Sequence, residues 1–183
     1  MGLSEEGIRA AHVGPVPRLP GRRVVLVEYD PAWPGLYERE AARIRAVLGS
    51  VVVGLEHVGS TSVPGLAAKP VVDVVLTVAD SGDEASYVPA LEAAGYVLRI
   101  REPEWFGHRM FKGPDTDVNL HVFTVGEPEV ARMVAFRDRL RVSAADRGLY
   151  ERTKRALAAR EWEYLQQYAD AKAAVVAEIL GRA

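Results

Sequence analysis

No cysteine occurs in the chain, which excludes disulfides, thiolate metal sites and thiol nucleophiles together. Long hydrophobic runs are also missing. No stretch approaches the roughly 18 apolar residues of a membrane-spanning helix, and the opening MGLSEEGIRAAHVGPVPRLPGRR has no apolar segment behind a basic one, as a secretion signal requires. Neither sign of charge prevails: 23 basic against 25 acidic residues leave a formal net charge of -2. That balance offers neither a basic footprint for nucleic acid nor an acidic solvating tail. Internal repeats and low-complexity tracts are absent as well. Together these absences predict a soluble, cytoplasmic protein with no membrane association and no strong nucleic-acid signal.

What is present is ordinary for a globular enzyme: 183 residues, 49% hydrophobic and 26% charged, enough for one core and a single domain. Residues 1–23 are expected to form a flexible N-terminal arm, extended where Pro15, Pro17 and Pro20 follow one another. The domain is expected over residues 24–183. The stretch VVLVEYD, residues 24–30, reads as a strand or an extended lead-in stopped by Pro31 and Pro34. Tyr37, Ala41, Ile44 and Leu48 then repeat at helical spacing, and Gly49 closes that helix.

Residues 51–58 and 70–78 are nearly continuous apolar runs, as interior strands covered on both faces require. A helix is expected over residues 80–94, followed by three alternating strands over 96–101, 109–112 and 119–125. Beyond Pro128 the signal is helical throughout. Val130, Met133, Val134, Arg137 and Leu140 line one helix, residues 150–160 make a second, and Trp162 to Leu180 stripe a long terminal one. The order predicts an α/β or α+β fold: a mixed sheet flanked by helices, with a C-terminal helical cap.

The chemistry centres on EHVGSTSVPGLAAKPVVDVVLTV, residues 56–78. Gly59, Ser60, Thr61 and Ser62 leave a strand as a hydroxyl-rich turn, and such a turn is either plain loop chemistry or a nest of donors suited to phosphate oxygens. Asp73 lies among four valines, where an ionised carboxylate needs a cation or hydrogen bonds. It either serves a site or caps a strand end. Lys69 and Lys112 stand at strand ends near the mouth of that turn, as cations for a polyphosphate or as solvated side chains. Arg137 falls on the apolar stripe of its helix, which points it at a buried acid or into the cleft. Tyr168 and Lys172 are one helical turn apart and could reach a ligand together. Trp105 and Phe106, on a loop, are core anchors or a clamp for a base, and His108 in the same turn is expected at the surface.

The blocks YDPAWPGLYEREAARIRAVLG, EHVGSTSVPGLAAKPVVDVVLTV, HRMFKG, NLHVF, FRDRLR and YADAKAAVVAEIL, spread over residues 24–180, resemble the GrpB family of bacterial proteins, which belongs to the nucleotidyltransferase-fold superfamily. That resemblance implies a Gly-Ser turn gripping a nucleoside triphosphate and an acidic pair on the next strand holding a divalent metal, Mg²⁺ or Mn²⁺. Gly59 and Ser60 fall on the first element and Asp73 on the first carboxylate. The second carboxylate is replaced by Val75, and His121 in NLHVF takes the place of a third. One aspartate with one histidine is a poor Mg²⁺ site; Asp73 with His57 and His121 would better suit Zn²⁺, Mn²⁺ or Fe²⁺. Asp73, His57 and His121 are therefore the candidate catalytic and metal residues. Three readings stay open: a nucleotidyltransferase acting on an unknown acceptor, a non-catalytic ligand- or protein-binding module, or a His/Asp metal centre of other chemistry.

Overall fold

The computed structural model describes residues 4–19, 21 and 23–182, so the parts of the expected arm at residues 1–3, Pro20 and Arg22 lie outside it. Five strands form one mixed sheet in the order β1-β2-β5-β4-β3: β1 (Gly54–Val58), β2 (Val72–Val78), β3 (Val97–Glu102), β4 (His108–Lys112) and β5 (Val118–Thr124). Only β2 and β5 run parallel; the β1–β2, β3–β4 and β4–β5 pairs are antiparallel. Helices α1 (Glu5–Ala11), α2 (Trp33–Leu48), α3 (Val88–Ala93), α4 (Pro128–Val142), α5 (Ala144–Ala158), α6 (Leu165–Ala171) and α7 (Ala173–Leu180) surround it. This is the α+β architecture with a helical C-terminal cap that the pattern predicts. None of the helices among the described residues is long and apolar enough to cross a membrane.

Alternation along the strands sorts the two faces. Leu55, Val74, Leu76, Phe111, Leu120 and Val122 meet Ala41, Ile44 and Leu48 of α2 and Leu91 of α3 in the main core. On the other face Val58, Val75 and Phe123 pack against Val130, Met133 and Val134, the expected stripe of α4. A third cluster joins Val63 and Leu66, in the loop after β1, to Leu140, Tyr150, Val175 and Ile179 of the cap. At about 25 cal/mol per Å² of buried apolar surface, these clusters dominate the folding energy.

Several expectations are corrected or narrowed. The arm carries a helix: Ser4 caps α1 by accepting from the Gly7 amide, Ile8 is 1% exposed, and the Val13 amide bonds the Arg99 carbonyl. Residues 24–30 contribute a single bridge, Val27 to Ala68, because prolines prevent a longer ladder. The run at 51–58 is not an interior strand; β1 is an edge paired on one side only. The helix expected over residues 80–94 is reduced to a 3₁₀ turn at Glu84–Ser86 and the six residues of α3, with Pro89 at its start. The long terminal helix also divides, since Lys172 separates α6 from α7.

Candidate functional site

Gly59 begins the site. Its φ of 68° and ψ of -172° suit glycine alone, and a Cβ there would stand 2.3 Å from Asp73 Oδ2. The backbone of the turn therefore lies directly against the Asp73 carboxylate. Ser60–Ser62 follow as one 3₁₀ turn, with the Val63 amide donating to the Ser60 carbonyl. Of the three hydroxyl side chains, two are engaged within the fold. Ser62 Oγ donates to the Gly59 carbonyl at 2.6 Å, and Thr61 Oγ1 lies 3.1 Å from His57 Nε2. Ser60 alone meets a cation, Lys154 Nζ at 2.9 Å. The expected four-residue nest is thus a Gly59–Ser60 feature, with Thr61 and Ser62 bracing it.

Lys154, on α5, is the residue sequence reasoning missed. It is 2% exposed, donates to Ser60 Oγ and to the Ala67 carbonyl, and stands 4.9 Å from the centre of the Tyr150 ring. Among the described residues no carboxylate forms an ion pair with it. Burial brings its ammonium down to about 7, and the neighbouring positive charge of Lys172 adds to the fall. The only hint in the sequence was a lysine one turn after Tyr150, on the apolar side of a helix.

Lys69 and Lys172 complete a cationic cluster. Burial lowers Lys69 to about 8, against the pull of Asp73, and Lys172 and Lys112 lower it further. Burial lowers Lys172 as well, again opposed by Asp73; its ammonium lies 4.8 Å from the Tyr168 ring. Tyr168 is 1% exposed and its buried hydroxyl has no hydrogen-bond partner. Asp73, with a side chain 27% exposed, is the single carboxylate these lysines share. Burial alone would raise its pKa, yet His121, Lys69 and Asn119 outweigh that and hold it below the usual range.

The parallel β2–β5 register sets Asp73 beside Asn119 and Val75 beside His121. Asn119 Nδ2 donates to Asp73 Oδ1 at 2.8 Å, and His121 Nε2 lies 3.7 Å from the same oxygen. Behind His121 runs a chain of groups. Its Nδ1 is 3.0 Å from His108 Nε2, and His108 Nδ1 is 2.7 Å from Glu102 Oε2. A carboxylate at Nδ1 makes that nitrogen the donor, so a neutral His108 presents Nε2 as acceptor to His121 Nδ1–H. His121 then turns Nε2 toward Asp73. His108, expected at the surface, is 4% exposed and held below the histidine range by burial, partly offset by Glu102. Trp105 covers it, with ring centres 5.2 Å apart at 87°, and serves as an anchor.

Other candidates are placed elsewhere. His57 shares the face of Val74, opposite Asp73, because Val58 and not His57 pairs with Asp73 across β1–β2. It stacks on Tyr37 of α2, ring centres 4.8 Å apart, and burial lowers it to about 4. Arg137 is committed to Glu56 at 2.6 Å, the His57 carbonyl and Asp138, so it clamps α4 to β1. Lys112 is 40% exposed and paired with Asp117 at 2.8 Å on the rim. The Asp73, His57 and His121 metal trio is not assembled. Among the described residues no group of three or more His, Asp or Glu side chains is disposed to hold a metal ion. Asp73 and His121 alone, with Val75 1% exposed between them and lysines around them, do not fit a resident divalent cation.

The frame is a mixed α+β sheet on which the Gly-Ser turn, the strand-borne Asp73 and three lysines lie close together. The family model described as GrpB protein matches residues 23–182, and the chain belongs to the GrpB family. A UPF0157 protein of Halalkalibacterium halodurans is 61% identical over 160 residues, 87% of this chain and 82% of that protein. The crystal structure of conserved protein GrpB from Enterococcus faecalis is similar with a TM-score of 0.73 at 31% identity, over 86% of this chain and 98% of that one. A weaker likeness is to Cid1 in complex with the UTP analogue UMPNPP, with a TM-score of 0.41 at 9% identity, over 70% of this chain and 41% of that chain.

Proposed function

We propose that this cluster binds the phosphates of a nucleoside triphosphate. One observation carries the reading: a buried lysine with no carboxylate partner, Lys154, meets the Gly59–Ser60 turn where Lys69 and Lys172 also converge. Burial draws all three lysines toward the neutral form, with Asp73 the carboxylate that Lys69 and Lys172 share, and a bound polyphosphate would hold the three as ammonium groups. The Gly59 backbone and the Ser60 hydroxyl add donors that need no charge of their own. A metal, in this reading, arrives with the nucleotide and is not held beforehand.

Two observations bear on whether a nucleotidyl group is then transferred to an acceptor. The Glu102–His108–His121 chain orients His121 Nε2 on Asp73, and the Asp73 carboxylate is where an acceptor hydroxyl could lose its proton. Against turnover stands Val75, packed with Val58 and Phe123 where the superfamily's second carboxylate would be. Binding is therefore the primary reading, and transfer the second.

The deciding experiment is a thermal-shift matrix with ATP, GTP, CTP and UTP, each alone and with Mg²⁺, Mn²⁺ or Zn²⁺, on the native chain and on Lys154→Met. A ligand at about 100 times its Kd adds roughly 2.7 kcal/mol, a visible shift. A nucleotide-dependent rise that disappears in Lys154→Met supports the proposal. A flat matrix, or a rise unaltered by the substitution, refutes it. Release of pyrophosphate by the native chain and not by His121→Gln would establish transfer.

A further inference from the structure

A cavity of about 530 Å³ opens beside Ser62, between α2 and the junction of α4 with α5. None of Asp73, Lys69, Lys154 and Lys172 lines it. Its α2 side carries Tyr37 and Glu38, its floor is His57, and the opposite wall carries Arg141 and Arg147. Tyr29 closes one edge, braced edge-on against Trp33 at 5.3 Å. The volume matches that of a small-molecule site, about 300–1,000 Å³, in which aromatic walls and a few polar groups fix orientation.

We propose that this cleft binds a small aromatic monoanion that carries a hydrogen-bond donor at its other end. The aromatic character follows from the lining: Tyr29 and the stacked Tyr37–His57 pair offer ring surface to a ligand ring. The negative charge follows from the arginines. Arg141 donates twice to the Ser62 carbonyl, at 2.9 and 3.1 Å, and it and Arg137 are balanced by Asp138 and Glu56. Arg147 donates through Nη1 to the Leu140 and Arg141 carbonyls, and no carboxylate pairs with it among the described residues. It spends donors on neutral carbonyls and keeps its charge, as a carboxylate or phosphate ligand requires. Arg147 is therefore the cation the cleft leaves for the negative end of a ligand, with Arg141 beside it. Glu38, on the facing wall, accepts from a hydroxyl or amine on the far end of the ring.

The cleft and the Asp73 cluster share the turn: Ser62 lines one, while Ser60 touches Lys154 in the other. They are nevertheless independent proposals, and the test separates them. The protein, isotopically labelled, is titrated with para-hydroxybenzoate and with the neutral para-cresol while amide signals are followed by NMR. Para-hydroxybenzoate should shift signals around Tyr37, His57 and Ser62, and para-cresol should bind at least ~10-fold more weakly. Arg147→Gln should weaken para-hydroxybenzoate by at least ~10-fold, and Arg141→Gln serves if that variant fails to fold. Saturating ATP should leave its affinity unchanged. The proposal is overturned by equal binding of the cresol, by no perturbation at millimolar ligand, or by full affinity in the arginine variants. Competition by ATP would place the probe at the Asp73 cluster, which equally overturns it.

Discussion

Gly59→Ala should be among the costliest single-methyl additions in this protein, because two separate penalties meet at one atom. The backbone at φ 68°, ψ -172° belongs to a region essentially reserved for glycine, a strain of about 1–3 kcal/mol for alanine. The new Cβ would also sit 2.3 Å from Asp73 Oδ2 and 3.0 Å from Cγ, far inside contact distance. Relief requires the carboxylate to move and loosens its 2.8 Å bond from Asn119, worth about 1.5–3 kcal/mol for a charged acceptor. The sum is about 3–5 kcal/mol, a large part of the ~5–15 kcal/mol available to a domain. Urea denaturation gives the value, and Gly126→Ala, at φ 88° with nothing within 4 Å, is the control at about 1 kcal/mol. A double-mutant cycle with Asp73→Ala, which removes the atoms at 2.3 and 3.0 Å, isolates the overlap. Coupling of at least about 1 kcal/mol is expected. If Gly59→Ala costs no more than Gly126→Ala, or the two substitutions simply add, the close approach of turn and carboxylate is wrong.

Other outcomes follow from the same geometry. Lys154, near 10.5 when unfolded and about 7 when folded, binds its proton less well in the native state, so stability should rise with pH between about 7 and 10.5. The slope is up to about 1.4 kcal/mol per pH unit, and Lys154→Met should reduce it in pH-dependent urea titrations. Tyr96→Phe removes the 2.6 Å bond to Glu40, a fully buried carboxylate then left with Arg43 at 3.3 Å, and should cost about 2–3 kcal/mol in the same assay. His108 should titrate below the ordinary histidine range by NMR, and Glu102→Gln, which removes the group that raises it, should lower it further. An upward shift in that variant would contradict the direction of the chain.

Hydrophobic period carried the sheet and most helices, since a strand buried on both faces or an apolar stripe leaves a local trace. It could not say which side of one strand faces which side of the next. Period-two alternation puts Glu56 and His57 on opposite faces, but only the β1–β2 register, with Val58 across from Asp73, decides which of them joins the aspartate. The register sends His57 to Tyr37 and away from His121. Lys154 was illegible for a related reason: a lysine in RTKRAL looks solvated until α5 is laid over the loop after β1. The Ser-Glu-Glu opening of α1 was legible as a cap followed by acidic residues, and the prolines after it drew attention away.

The turn at Ser60–Ser62 is held from above by residues that come much later in the chain: Arg141 grips the Ser62 carbonyl, and Lys154 grips Ser60 and the Ala67 carbonyl. These ties close loops of 79 to 94 residues, whose entropy must be met before any contact returns energy. Sheet and turn can therefore be built early, yet Ser60 gains its lysine only when α5 docks. Under the phosphate-binding proposal, occupancy of the site would then report that the cap has docked.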